Sequence, residues 1–325
     1  MSVFILIILA AGFFALLKGA DIFVDGSAAL ARSFHVPSLI IGLTIVALGT
    51  SAPELAVSIS AALQGSNEIA LSNVVGSNIF NLLCVLGVCA LIYPLPVNKG
   101  ILKRDFLLSI AVTVFVLLAA GGETLLNGRL FSSGMEEPAG MVSRMAGGIL
   151  IVLFIAYIAY LIYDARKNPG GEEKGETIPI WKSLLLILFG LICVIGGGQA
   201  VVYSAKEIAR AFGMTETLIG LTVVAIGTSL PELATSAVAS KKGQTELAVG
   251  NVIGSNIFNM MFILGTSSFL NPVAVNVASV YDMLILTFVS LLTLVFAFTA
   301  KKIGRIEGAV MIAVYAAAMA FAVMR

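Results

Sequence analysis

Polar positions along this chain are confined to short interruptions between long apolar runs. The runs recur near 3–30, 38–63, 68–92, 104–120, 143–163, 182–204, 216–240, 245–270, 279–299 and 305–324. Each approaches the roughly 20 residues that carry a helix across a hydrocarbon core about 30 Å thick. The pattern predicts ten membrane-spanning helices. The first run is expected to be a structural helix and not a cleavable leader, because nothing basic precedes its apolar stretch and Lys18, Asp21 and Asp25 stand where a cleavage region would be small and neutral. Composition agrees with a membrane protein: 59% of the 325 residues are hydrophobic and 11% are charged. A soluble domain carries about 25% charge, so this chain cannot cover a water-facing surface.

A formal net charge of +1 offers no basic excess for nucleic acid, which leaves the lipid bilayer as the expected surrounding. Cys84, Cys89 and Cys193 lie in apolar runs without CxxC spacing. They form neither a disulfide framework nor a thiolate metal site, and read as small core hydrophobes. Because loops alternate sides, basic residues can be summed by side. Arg32, Lys99, Lys103, Arg104, Arg166, Lys167, Lys174, Lys182, Lys241, Lys242, Lys301, Lys302 and Arg305 fall together, and Arg129, Arg144, Lys206, Arg210 and Arg325 fall opposite. The excess of Lys and Arg places the first set in the cytoplasm. Both termini are then expected outside a cell (inner) membrane. Residues 164–181, with Asn168, Pro169, Gly170 and Gly171, form a solvated cytoplasmic linker between a first half at 1–163 and a second at 182–325. Residues 121–142, with Gly121, Gly122 and Pro138, form a comparable outer loop.

The two halves repeat. Ile41–Asn81 aligns without gaps to Ile219–Asn259 at an offset of 178, with 26 of 41 positions identical. Matches of Leu, Val and Ala are uninformative in apolar segments, but GTS, PE and GSNIFN contain groups that hydrocarbon penalises. Five helices per half, an odd number, give the copies opposite orientation. The fold class is therefore an all-α polytopic membrane protein of two inverted five-helix repeats, whose copies face each other near the midplane.

Within each copy Thr50, Ser51 and Glu54, or Thr228, Ser229 and Glu232, sit in mid-span on a helix interrupted by Gly49 and Pro53, or Gly227 and Pro231. Proline lacks an N–H and collides with the carbonyl four residues back, freeing the oxygen of Gly49 or Gly227. Irregular backbone at this depth needs protein, a wet cavity or a cation to receive it. Thr50 shares a helix face with Glu54, and Ser77 shares one with Asn81. Two carboxylates with hydroxyl, amide and carbonyl oxygens suit a hard cation such as Ca2+, Na+ or Mg2+, with Ca2+ favoured by high coordination number. No histidine or cysteine is at hand for zinc or copper.

At these residues the chain resembles the sodium/calcium exchanger family within the cation/calcium antiporter superfamily, whose two α-repeats have this form. The resemblance implies a central ion-binding bundle from the second and third helices of each half. Its acids would be Glu54 and Glu232, its hydroxyl ligands Thr50, Ser51, Ser77, Thr228, Ser229 and Ser255, and its backbone-carbonyl ligands Ala47 and Ala225, with Asn81 and Asn259 completing the set. It also implies that helices 1 and 6 slide across the bundle to expose the site alternately, that Na+ is the counter-ion, and that three Na+ exchange for one Ca2+. Asn259 departs from relatives that carry aspartate there, which argues against potassium coupling. The long regulatory insert of animal exchangers is absent. Ca2+ and Na+ are then transported substrates, no cofactor is expected, and one chain suffices for transport.

Proton-exchanging relatives carry GNxxE in place of GTSxPE, which leaves Ca2+/H+ antiport as the alternative. HExxH, GxSxG and mid-membrane Asp pairs are missing, against a protease, and an inverted pair is not the ring of subunits a channel uses. Glu68 and Glu246 match across the repeat but begin helices, where an acid favours the dipole. Lys18, Asp21 and Asp25 are spaced for pairing within helix 1. His35 reads as a surface residue.

Overall fold

The computed structural model describes residues 3–65, 67–97, 100–128, 134–168, 178–213 and 225–324. Eight helices among them are long and apolar enough to cross a membrane. They are α1 (Val3–Phe34), α4 (Glu68–Ile92), α5 (Ile101–Leu126), α6 (Arg144–Lys167), α7 (Ile180–Ala211), α10 (Thr245–Leu270), α11 (Val277–Ala300) and α12 (Arg305–Met324). A further span is a bent pair, α2 (Ser38–Thr50) and α3 (Ala52–Leu63), whose axes meet at 50°. The predicted span 216–240 falls partly outside the described residues and continues as α8 (Ala225–Thr228) and α9 (Leu230–Lys241). Residues 169–177 of the predicted linker also lie outside them.

Two short antiparallel ladders clip the helices. β1 (Leu95–Pro96) pairs with β4 (Lys302–Ile303), and β2 (Pro138–Val142) pairs with β3 (Val273–Asn276). They precede and follow α5, so they sit at its opposite ends, and each joins loops that the charge count had placed on one side.

Two predictions of extent need correction. Gly121 and Gly122 are not loop residues: α5 continues through both, and at Gly121, where a Cβ would lie only 3.0 Å from Val280, close packing on α11 outweighs the low helix propensity of glycine. Lys206 and Arg210 likewise lie on α7. The charges on α1 pair within their helix as expected, through Lys18 and Asp21, and more closely with a lysine from another element. Lys18 approaches Asp21 only to 4.0 Å, whereas Lys242, just beyond α9, lies 2.6 Å from Asp21 and 2.7 Å from Asp25.

Two packings position the centre. α1 runs antiparallel to α7 with backbones nearly touching: a Cβ on Gly19 would lie 2.6 Å from Cβ of Cys193, and one on Gly197 would lie 2.5 Å from the backbone N of Leu16. α10 is buried along almost its whole first part, from Leu247 to Asn259. It lies against α2, where Gly42 and Gly250 meet at backbone distance. The first copy's broken helix therefore packs on the second copy's intact one. Large aromatic and aliphatic side chains such as Phe4, Phe14, Phe189 and Phe288 point outward, as lipid-facing helices require. Cys89 is buried, Cys84 and Cys193 are half-buried, and all three are free thiols.

Candidate cation site

Both broken helices turn at a serine. Ser51 (φ −84°, ψ 10°) and Ser229 (φ −92°, ψ 7°) leave the helical region, and Pro53 and Pro231 follow at the start of the next helix, where a missing N–H is tolerated. The proline thus begins a new helix rather than bending a continuous one. The turns differ in detail. The Ser51 N–H donates to the Ala47 oxygen at 3.1 Å, and the Thr50 hydroxyl approaches the same oxygen at 3.4 Å. In the other copy the Ser229 N–H donates instead to Ile226, at 3.2 Å. Ala225 opens the described part of that segment.

Each turning serine reaches the carboxylate of the other half. Ser51 Oγ donates to Glu232 Oε1 at 2.7 Å, and Ser229 Oγ donates to Glu54 Oε1 at 3.0 Å. Ser77 Oγ also donates to Glu54 Oε1, at 3.3 Å, and lies 3.1 Å from Ser229 Oγ. Both glutamates are 0% exposed, which removes any reading in which they reach toward water. Thr50 Oγ1 donates to Asn251 Oδ1 at 3.0 Å. Asn81 and Asn259 each begin a wide π turn, at Asn81–Val85 and Asn259–Ile263, of the kind that recurs at functional sites.

The structure thus forms two hydrogen-bonded groups that each span the two repeat copies, Ser51 with Glu232, and Ser229 and Ser77 with Glu54, and these make up the candidate set. Thr50, Thr228 and Asn81 are buried on the same helices, and Ser255 and Asn259 are buried on α10; with the five above they complete the candidate set. Buried polar atoms are normally satisfied. Among the described residues eleven buried side-chain polar atoms have no partner, and six belong to this set: Glu54 Oε2, Glu232 Oε2, Asn81 Oδ1, Asn259 Oδ1, Thr228 Oγ1 and Ser255 Oγ. All six are oxygens. No cluster of three or more His, Cys, Asp and Glu occurs among the described residues, so the charge at this centre comes from two carboxylates and the rest of its chemistry is neutral oxygen.

Six supporting residues were not singled out from the sequence. Asn73 Nδ2 donates to Ser58 Oγ at 2.9 Å and to the Glu54 backbone oxygen at 3.2 Å, and Asn251 Nδ2 donates to Ser236 Oγ at 2.9 Å. Asn78 and Asn256 contact Asn259 and Asn81. All six are identical across the repeat, and that was the available signal. Glu68 and Glu246 stand in first turns as expected, and His35 is an exposed residue at φ 53°.

The family model described as "Sodium/calcium exchanger protein" matches residues 4–163 and 182–324. The chain is 31% identical to the sodium/calcium exchanger MaX1 of Methanosarcina acetivorans, over 96% of each chain. It is 34% identical to the inner membrane protein YrbG of Escherichia coli, over 82% of this chain and 79% of the relative. Among solved structures, the sodium-calcium exchanger NCX_Mj superposes with a TM-score of 0.82 at 33% identity, covering 98% of this chain and 99% of that one. The matches span both repeat copies and the helices around them, and the chain belongs to the sodium/calcium exchanger protein family, whose members are transporters and not enzymes.

Proposed function

We propose that this protein exchanges Ca2+ for Na+ across the cell (inner) membrane, by alternating access to a single central site that binds the ions through Glu54 and Glu232. The observation that carries the reading is the cluster of six unpartnered buried oxygens, two of them on carboxylates drawn from opposite halves of the chain. Such oxygens demand a cation, and two fixed negative charges match one divalent ion. Thr50, Ser51, Ser77, Thr228, Ser229, Ser255, Asn81 and Asn259 supply neutral ligands, with the Ala47 and Ala225 carbonyls at the turns. No cofactor takes part.

The architecture proposed is ten helices in two inverted five-helix halves, 1–163 and 182–325, with the linker in the cytoplasm and both termini outside. The antiparallel course of α1 and α7 and the cross-bonding of Ser51 and Ser229 support it. α1 and α7 rest on the helix breaks, with Phe23 and Leu191 over Gly49 and Val202 over Gly227. A slide of this pair would uncover the site on one side and then the other. Two carboxylates leave the site neutral with one Ca2+ and singly positive with three Na+, so 3:1 exchange carries current, and one chain suffices for it.

The test is Ca2+ uptake into proteoliposomes holding Na+, K+ or a pH gradient alone. Uptake driven by internal Na+ is expected. Uptake driven equally by a proton gradient without Na+ would replace this reading with Ca2+/H+ antiport, and uptake without any counter-ion would replace it with a channel.

A further inference from the structure

We infer that Asn78 and Asn256 are positioning residues, each of which fixes the amide of the other half's site asparagine so that its oxygen, and not its NH2, faces the ion. The inference rests on the cation site proposed above. All four asparagines are buried, at 1% exposure or less. Asn78 Nδ2 donates to the backbone oxygen of Asn256 at 3.2 Å, and Asn256 Nδ2 donates to the backbone oxygen of Asn78 at 3.4 Å.

A backbone carbonyl can only accept, so these two contacts determine which end of each amide is nitrogen. The remaining ends, Asn78 Oδ1 and Asn256 Oδ1, can then only accept as well. Facing them, Asn259 and Asn81 must present their NH2 groups: Asn259 Nδ2 donates to Asn78 Oδ1 at 3.0 Å, and Asn81 Nδ2 donates to Asn256 Oδ1 at 3.2 Å. Their own Oδ1 atoms are left buried and unpartnered. Turning either amide over would set oxygen against oxygen at about hydrogen-bond distance and aim two N–H groups at a cation. Outer groups that orient a metal ligand in this way are worth roughly 10–100-fold in metal affinity.

The test exploits the symmetry of a carboxylate. Asn78→Ala is made in the parent and in an Asn259→Asp background, where both oxygens of residue 259 are equivalent and there is no orientation to lose. Half-saturating Ca2+ for Na+-driven uptake, and the maximal rate, are measured for each. In the parent, Asn78→Ala is expected to raise half-saturating Ca2+ by roughly 10–100-fold with the maximal rate largely retained. In the Asn259→Asp background it should cause no further rise. The mirror set, Asn256→Ala in the parent and with Asn81→Asp, should behave alike and serves if the first variant misfolds. Equal penalties in both backgrounds would overturn the inference. So would failure of both alanine variants to give monodisperse protein in every background, since the role would then be structural. A parent that takes up no Ca2+ against Na+ would instead overturn the proposed function.

Discussion

Replacing Glu54 by Gln keeps the shape of the side chain and the atom that the structure uses. Ser229 and Ser77 both donate to Oε1, and a glutamine carbonyl accepts from both, so the fold should survive and only charge is lost. For a cation about 4 Å from the carboxyl carbon at an effective dielectric near 20, each unit charge contributes about 4 kcal/mol, hence about 8 kcal/mol for a divalent ion. If relaxation and water entry return half of that, about 4 kcal/mol remains, or close to three decades in affinity. Na+ loses about half as much in free energy, so the variant should move toward Na+ selectivity. Glu232→Gln should match it, since its Oε1 is likewise held by a serine of the other half. The assay is Ca2+ uptake by purified, reconstituted variants over a wide range of external Ca2+, with Ca2+ titration calorimetry on the same samples. Half-saturation within about tenfold of the parent would mean that the carboxylate does not face the ion and would refute the site.

Ser51→Ala and Ser229→Ala each remove a charged hydrogen bond worth about 1.5–3 kcal/mol, so uptake assays should find losses milder than those of the glutamate variants, with Ca2+ still transported. Arg104→Ala should lower stability by about 3–5 kcal/mol, read as thermal unfolding in detergent. It strips the Arg104 contacts at 2.7 and 3.0 Å from fully buried Asp105, which among the described residues keeps the Tyr157 hydroxyl; Arg104→Ala with Asp105→Ala should recover part of the loss. Lys242→Gln removes partly exposed bridges to Asp21 and Asp25 that are worth about 0.2–1 kcal/mol each, so its unfolding midpoint should stay near that of the parent. With three Na+ exchanged per Ca2+, one net positive charge leaves Na+-loaded vesicles per cycle, and an inside-positive potential should speed uptake by exploiting about 2.3 kcal/mol per 100 mV. Voltage-indifferent uptake would mean two Na+, and dependence on internal K+ would contradict the reading of Asn259.

The helices were legible because membrane spans are written in composition: no charge can be hidden within a 20-residue apolar run without notice. Their ends were not, since Gly121 and Gly122 look like a loop by propensity, yet the helix runs through both and packs on α11 at Gly121. The candidate site residues stand out because the repeat reports twice on each: a polar group retained at matching positions in two copies marks something hydrocarbon would otherwise exclude. What the sequence could not deliver was pairing across the halves. Ser51 meets Glu232 and not Glu54, and Lys242 meets Asp21 across 221 residues. Sequence spacing describes neighbours on one helix, whereas these bonds depend on how two helices cross.

That crossing also bears on coupling. Because Ser51 holds Glu232 and Ser229 holds Glu54, neither half would own a complete set of the proposed ligands, and any displacement of one broken helix relative to the other disturbs both carboxylates at once. The pseudo-symmetry is imperfect at the same place: Thr50 is engaged by Asn251, whereas the Thr228 hydroxyl has no partner among the described residues, and the Ser51 and Ser229 N–H groups choose different acceptors. An inverted repeat that were perfectly symmetric would present the same face to both sides of the membrane with equal ease. Among the described residues the half containing Thr50 is the more internally satisfied, so on the proposed site a cation would have more to gain from ligands in the half containing Thr228. Differential contacts of this kind are what allow ion binding to shift a conformational equilibrium. On the proposed exchange, they would make occupancy of the second half's oxygens the event that permits α1 and α7 to move.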